Sequence, residues 1–290
     1  MYPDSFDYYS AGSVEEALTL LDEHADQNPT VLAGGHSLVP TMKSGLAAPD
    51  AVVDIGDVEE MSGIDVTDGA LRVGASTRYE AVVDNADVVA HAPVLAEATR
   101  EIGDTQVRNR GTVGGNVAHA DPASDLPAVM IATDATMHAQ SPDGSRAIAA
   151  DDFFLGIYAT ALGHDELLVE VEVPAIGDGA GAYVKKESPS SGYAVIGVAA
   201  RLRTTDGTIA EAGIAANGAL DHAVRLSAVE SALEGRGVAD VDADEVATHA
   251  TDELDVDLLM DDLQADSAYR AQLLESYTAR AVETAVERAD

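Results

Sequence analysis

Two short stretches carry residue types able to grip a phosphate. The longer is Arg108-Asn109-Arg110-Gly111-Thr112-Val113-Gly114-Gly115-Asn116, a basic lead into a glycine-rich bend with two small polar residues. Glycines lack Cβ, so backbone N–H groups there can close on a phosphate, and Thr112 and Asn116 add side-chain donors to the same concavity. Asp125 stands thirteen residues after Thr112, where a carboxylate can accept from ribose hydroxyls or an adenine amine, as a bound dinucleotide requires. The other stretch, first along the chain, is Ala33-Gly34-Gly35-His36-Ser37, between the apolar pairs Val31-Leu32 and Leu38-Val39. It reads as strand, tight turn and helix start. Either stretch alone fits an ordinary glycine turn; together they can hold one pyrophosphate from opposite sides. Neither has the Lys-Ser or Lys-Thr of a P-loop, and neither matches G-x-G-x-x-G, which disfavours a Rossmann or kinase-type site.

The first stretch needs a small βαβ-like lobe to present it. Ser13-Val14-Glu15-Glu16 matches a capping box ahead of Ala17, Leu18, Leu20 and Leu21. Strand Val31–Ala33, a helical segment to Lys43 and strand Ala51–Ile55 complete a lobe ending near residue 57. For the second stretch, the pattern predicts a strand at Leu71–Ala75 and a capping box at Thr77-Arg78-Tyr79-Glu80 opening a helix to about Ala90. A further helix starts at Pro93, with Val94, Leu95, Ala98 and Ile102 on one face. Leu126–Ala132 reads as helix, Ala135–Gln140 and Arg146–Ala149 as a hairpin about Asp143-Gly144, and Glu166–Val173 as a strand. Beyond a joint at Asp178-Gly179-Ala180-Gly181, Ala182–Lys186 is extended, and Tyr193–Thr204 with Thr208–Asn217 forms a hairpin about Asp206-Gly207. The remainder reads as helices at Val224–Leu233, Glu245–Leu254 and Ser267 to Arg288.

The 290 residues include 52 acidic and 16 basic side chains, a formal charge of −36. Such a surface repels nucleic acid and anionic membranes. The acids are scattered and lysine is scarce, a pattern resembling salt-in halophilic proteins, whose carboxylate repulsion is screened by salt. There is no cysteine, which excludes disulfides and Cys-ligated clusters within the chain and fits a cytoplasmic setting. Met1-Tyr2-Pro3-Asp4 shows no signal-peptide pattern, and no apolar run approaches the length of a transmembrane span. The eight histidines show no metal-binding spacing, and no G-x-S-x-G is present, so no metal ligand and no acid–base or nucleophilic catalytic residue is assigned.

The two glycine stretches, with Leu38-Val39-Pro40-Thr41-Met42-Lys43, the run from Arg108 to Pro127 and the segment Ser267-Ala268-Tyr269-Arg270, resemble the FAD-binding medium subunit of molybdenum hydroxylases. That family includes aerobic carbon monoxide dehydrogenase and the xanthine dehydrogenases, and the likeness runs the length of the chain. It implies an α+β fold: a two-lobed PCMH-type FAD-binding domain over 1–176, with lobes of about 1–57 and 58–176, then a C-terminal domain over 177–290 of antiparallel sheet backed by helices. It implies pyrophosphate contacts from Ala33, Gly34, Gly35, His36 and Ser37 and from Thr112, Val113, Gly114, Gly115 and Asn116, mostly through backbone N–H groups. Asp125 then faces the adenosine side, Leu168 the adenine, and Tyr193 the isoalloxazine ring, although Tyr193 also reads as the first residue of a strand. Lys185 matches the family's FAD-contacting lysine, with Lys186 one residue away. Where the family usually carries arginine after that lysine, this chain has Ser188-Pro189-Ser190-Ser191.

The resemblance further implies non-covalently held FAD that receives electrons from two [2Fe–2S] clusters in a small subunit. A large subunit oxidises the substrate at a molybdenum cofactor, in a dimer of heterotrimers, and the flavin passes electrons to an external acceptor. Two rivals stay open: a stand-alone FAD oxidase of the same fold, and a flavin-free assembly subunit. Neither the substrate nor the acceptor is legible, since the substrate site belongs to another polypeptide.

Overall fold

The computed structural model describes residues 2–289. The chain opens with β1 (Asp7–Ser10), α1 (Val14–Glu23), β2 (Thr30–Leu32), α2 (Leu38–Ser44) and β3 (Ala51–Asp54). These strands form a parallel sheet of order β1-β3-β2. The Ser13 hydroxyl accepts from the Glu16 N–H at 3.1 Å, but the Glu16 carboxylate reaches the N–H of Gly12 rather than that of Ser13. The capping box is half formed.

Next come β4 (Ile64–Thr67), β5 (Ala70–Gly74), α3 (Tyr79–Val83), α4 (Ala86–His91), α5 (Pro93–Arg100), α6 (Thr105–Arg108), α7 (Val113–His119) and α8 (Asp125–Ala132). Strands β6 (Thr136–Ser141) and β7 (Gly144–Ala149), helix α9 (Ala150–Phe153), hairpin β8 (Phe154–Gly156) and β9 (Ala159–Thr160), and β10 (Leu167–Pro174) complete this region. Its antiparallel sheet has the order β4-β5-β10-β6-β7. Two expectations change here. The predicted helix from Thr77 to about Ala90 breaks at Asp84, because Asn85 caps a new helix by accepting from the Asp87 and Val88 N–H groups. Thr77 caps nothing: its hydroxyl donates to the Gly63 carbonyl and accepts from the Gly63 N–H.

The rest is β11 (Ala180–Glu187), β12 (Ala194–Thr205), β13 (Thr208–Asn217), β14 (Val224–Arg225), α10 (Ser227–Leu233), α11 (Ala243–Ala247) and α12 (Ser267–Ala289). The strands form an antiparallel sheet in chain order. The helix expected from Val224 starts at Ser227, since Val224 and Arg225 pair with β13. The one expected over Glu245–Leu254 is the shorter α11. The period-two alternation of strands assigns the sheet's two faces. One face carries Ala182, Val198, Ala200, Ile214 and Ala216, which join a core with Leu274, Ala281 and Val282 of α12. The other carries the cross-strand row Tyr183, Ala199 and Ala215, which belongs to the main core with α8.

Helix α8 is buried on every side, which its all-apolar run requires. It lies so close to the sheet that a Cβ on Gly213 would stand 2.0 Å from the Ala132 carbonyl oxygen. Its C-terminal carbonyls are taken up by that sheet: Arg201 Nε donates to the Ala132 oxygen at 2.9 Å and Arg225 to the Ile131 oxygen at 2.7 Å. No helix among the described residues is long and apolar enough to cross a membrane.

Candidate functional site

The two glycine stretches, some eighty residues apart in sequence, meet. A Cβ on Gly34 would lie 2.2 Å from the Arg110 carbonyl oxygen and 2.8 Å from the Gly111 Cα. A Cβ on Gly115 would lie 3.6 Å from that of Ala33. Such approach between backbones is possible only without side chains at the contact. Gly35 adopts φ +74, the left-handed conformation that turns the chain from β2 towards α2. His36 is exposed, with Nδ1 3.2 Å from the Gly34 oxygen.

The stretches differ in what they leave free. In the first, the N–H groups of Ala33, Gly34, Gly35, His36 and Ser37 have no hydrogen-bond partner among the described residues. In the second, the chain itself uses them: Val113 donates to Thr77 O at 3.0 Å, Gly114 to Ala75 O at 2.8 Å, Gly115 to Thr112 Oγ1 at 3.1 Å and Asn116 to Thr112 O at 3.1 Å. This corrects the expectation that both stretches offer backbone donors. The second is the first turn of α7 rather than a free bend, with Thr112 as its cap. Gly114 is fully enclosed, and a Cβ there would strike the Ala75 Cβ at 2.3 Å. Its missing side chain lets α7 sit on β5. Asn116 is likewise a strut, donating to the Tyr79 hydroxyl at 2.9 Å and accepting from Ser124 Oγ at 2.8 Å. Burial pushes the Tyr79 phenol well above its ordinary range.

Asp125 and Lys185 do come together. Lys185 Nζ lies 3.1 Å from Asp125 Oδ1 and also donates to the carbonyls of Glu101 (2.8 Å) and Gly192 (3.0 Å). The Tyr183 hydroxyl donates to Asp125 Oδ1 at 2.6 Å. The Asp125 and Lys185 side chains are only 6% and 3% exposed. Burial raises the Asp125 carboxyl to about 6, with Lys185 and Tyr183 holding it from rising further. The pair therefore forms a charged floor, with little surface to offer as direct ligands. Leu168 is similarly enclosed, 5% exposed in the main core at the β-bulge of β10. Lys186 points to the sheet's opposite side by strand alternation, so the sheet register favours Lys185 at this floor.

Tyr193 is 38% exposed. Its phenol is raised by burial first and by Asp121 next, and the nearby Ser37 of the first stretch acts against them. Two further residues, not singled out in the sequence, share this place. Tyr158 is 59% exposed and held in the left-handed region at φ 54. Its N–H donates to the Ala120 carbonyl at 3.2 Å, and its ring lies 4.8 Å from that of His119. Burial and then the nearby Asp121 raise its phenol, while burial lowers the His119 imidazole. An exposed aromatic on a two-strand hairpin gives no periodic signal, and only its exposure in the fold marks it.

Two cavities lie elsewhere, one of about 730 Å³ between the α11 region and α12 and one of about 330 Å³ between α5 and β11. His138, Glu170 and Glu172 bring one ligand atom each within 4.8 Å of one another across β6 and β10. Arg72 already supplies the cation there, lying 3.5 Å from Glu170 and 2.8 Å from Glu172.

Residues 4–176 match the family model of the FAD binding domain in molybdopterin dehydrogenase, and residues 182–285 that of the CO dehydrogenase flavoprotein C-terminal domain. The chain is 35% identical to the carbon monoxide dehydrogenase medium chain of Hydrogenophaga pseudoflava, covering 99% of both chains. It is 34% identical to the glyceraldehyde dehydrogenase medium chain of Sulfolobus acidocaldarius, covering 97% of this chain and 98% of that one. The solved carbon monoxide dehydrogenase from Hydrogenophaga pseudoflava that lacks the Mo-pyranopterin moiety of its cofactor superposes with a TM-score of 0.94 at 36% identity, over 99% of both chains.

Proposed function

The chain belongs to the FAD-binding medium subunits of molybdenum hydroxylase-type dehydrogenases, and from that membership we propose that it is the electron-transfer flavoprotein of such a complex. Two partners complete the reading: a small subunit with [2Fe–2S] clusters that delivers electrons, and a large subunit with the molybdenum cofactor that oxidises the substrate, arranged as a dimer of heterotrimers in the cytoplasm. The supporting observation is the meeting of the two glycine stretches beside five unpartnered N–H groups, which suits an anionic diphosphate. Bound FAD supplies the redox chemistry, accepting electrons from one carrier and releasing them to another.

The chain's own residues hold and orient. Ala33, Gly34, Gly35, His36 and Ser37 donate to the pyrophosphate. Thr112 turns its hydroxyl proton to the same place while its oxygen accepts from Gly115. Val113, Gly114 and Asn116 fix the height of that wall. Asp125 and Lys185 form the floor on the adenosine side, with Leu168 behind it. Tyr193 lies against the ring, where an aromatic face stacks and limits water. Residues 1–176 form the FAD-binding domain and 177–290 the domain that closes over its floor.

Purification from the native host tests this reading. Flavin absorbance, with iron and molybdenum in co-purifying chains, is the expected outcome. Iron- and molybdenum-free protein that oxidises a small alcohol or sugar by itself supports the stand-alone oxidase, and colourless protein within an intact complex supports the assembly subunit.

A further inference from the structure

The segment around Arg270 has no part in the flavin site as built so far, yet its guanidinium reaches the backbone behind it. Arg270, on α12, is 2% exposed. One Nη donates to the carbonyls of both Val195 and Gly218, the latter at 2.7 Å, and the other to Asp262 at 2.7 Å. Those carbonyls lie at the second residue of β12 and just past the end of β13. Gly218 adopts φ +78, and a Cβ on it would lie 2.4 Å from the Val195 oxygen. The two oxygens are held side by side, an arrangement that repels unless a shared donor stands between them.

The amides beside these carbonyls bond the Asp121–Ser124 turn. The Ala194 N–H donates to the Ala123 carbonyl at 3.1 Å, and the Gly218 N–H to the Pro122 carbonyl at 2.7 Å. Asp121, whose carboxylate accepts from the Ala123 N–H, begins that same turn. Tyr193 stands between two such anchors: Lys185 holds the Gly192 carbonyl before it, and Arg270 holds the Val195 carbonyl two residues after it. The Ser188 N–H fixes the Tyr193 carbonyl at 2.8 Å. The phenol, 38% exposed, thus projects from a peptide pinned on both sides by buried cations.

We propose that Arg270 is a positioning residue for the flavin: it clamps the Val195 and Gly218 carbonyls and so sets the plane of Tyr193 and the height of the Asp121–Ser124 turn. This rests on the FAD reading for its ligand but makes a separate claim about the backbone. Arg270 touches neither the ring nor the phosphates.

The test compares Arg270→Gln and Arg270→Lys with Arg288→Gln, which removes a cation on the same helix that bonds Gly181 and Glu97 instead. In the purified full chain titrated with FAD, Arg270→Gln is expected to speed amide hydrogen exchange at Ala194 and Gly218 at least tenfold. It should also weaken FAD binding about tenfold and raise bound-flavin fluorescence as Tyr193 leaves the ring. Arg270→Lys recovers part of each change, and Arg288→Gln moves none more than twofold. The fluorescence change should disappear when Arg270→Lys is made in a Tyr193→Leu background. Unchanged exchange at Ala194 and Gly218 overturns the proposal. So does a lower melting temperature with FAD affinity and fluorescence intact, or an equal fluorescence effect in the Tyr193→Leu background. Should Arg270→Gln not fold, Arg270→Lys carries the same comparison. Wild-type protein that takes up no flavin defeats the parent reading, and the exchange measurement then decides whether Arg270 fixes this backbone.

Discussion

Replacing Gly34 by alanine isolates the contact between the two glycine stretches. The new Cβ would stand 2.2 Å from the Arg110 oxygen and 2.8 Å from the Gly111 Cα, against an ordinary contact distance beginning at 3.4 Å. The stretches must therefore separate by 3.4 − 2.2 = 1.2 Å along that line, and both atoms are backbone, so no rotamer relieves the clash. Overpacking of this kind costs about 1–3 kcal/mol. Separation relieves it in the free protein, whereas a bound diphosphate needs the stretches together, so the cost falls on binding and Kd for FAD rises by about 5–150-fold. Flavin titration followed by fluorescence quenching measures it, with circular dichroism as the check on folding. Gly45→Ala is the control: φ is +77 there with nothing within 4 Å of the new Cβ, so it costs about 1–2 kcal/mol of left-handed strain and leaves Kd unchanged. Gly114→Ala acts differently, because its Cβ strikes Ala75, and lowers the melting temperature by loosening α7 from β5. Folded Gly34→Ala protein that binds FAD within twofold of wild type would falsify the account of how the stretches cooperate.

Three further outcomes follow from charge. With a formal charge of −36, the melting temperature should fall as salt is lowered from molar to millimolar, because the Debye length grows from about 3 Å at 1 M to about 30 Å at 0.01 M; a flat profile rejects the halophilic reading. Lys185→Met strands a buried carboxylate and should destabilise by about 3–5 kcal/mol in urea unfolding, with Asp125→Asn added to it recovering much of the loss; additive losses would deny the coupling. Burial holds the Asp125 carboxyl near 6, above its ordinary 3.8, so the folded state binds that proton more tightly than the unfolded. This group's contribution is complete below about pH 4 and is withdrawn as pH rises through about 6. At about 1.4 kcal/mol per pH unit, the stability difference between wild type and Asp125→Asn should shrink by about 3 kcal/mol over that window, and a difference that does not change with pH removes the shifted carboxyl from the argument.

What the sequence made legible was local. Gly34-Gly35 and Gly114-Gly115 announced close backbone approach because glycine has few other uses in such numbers, and Asp206-Gly207 between Tyr193–Thr204 and Thr208–Asn217 placed the long hairpin. What approaches each glycine was not legible. Gly34 meets Arg110, whereas Gly114 meets Ala75, and the difference lies in contacts distant along the chain. Thr77 failed as a cap for the same reason, since Gly63 offers its hydroxyl both a donor and an acceptor. The Asp125–Lys185 pair joins residues sixty positions apart, and no periodicity links a helix start to a strand interior. Tyr158 and His119 depend on left-handed turns at Tyr158 and Ala120, which non-glycine residues do not advertise.

Helix α8 ties the candidate site to the C-terminal sheet. Its first residue, Asp125, is held by Lys185 and Tyr183, and its last carbonyls by Arg201 and Arg225. Both ends of the helix are therefore fixed by one antiparallel sheet. Arg270 extends this pattern to the turn that precedes the helix, through Gly218 and Pro122. Lys185, Arg201, Arg225 and Arg270 are four of the chain's sixteen basic residues, and each bonds at least one main-chain carbonyl from within the fold. Scarce positive charge is concentrated where a neutral donor would hold the same oxygens less tightly, since hydrogen bonds from charged donors are roughly twice as strong. The surface depends on salt for its stability, while this frame, in which mostly buried cations bond main-chain carbonyls that salt screens weakly, should keep its geometry after the periphery has begun to loosen.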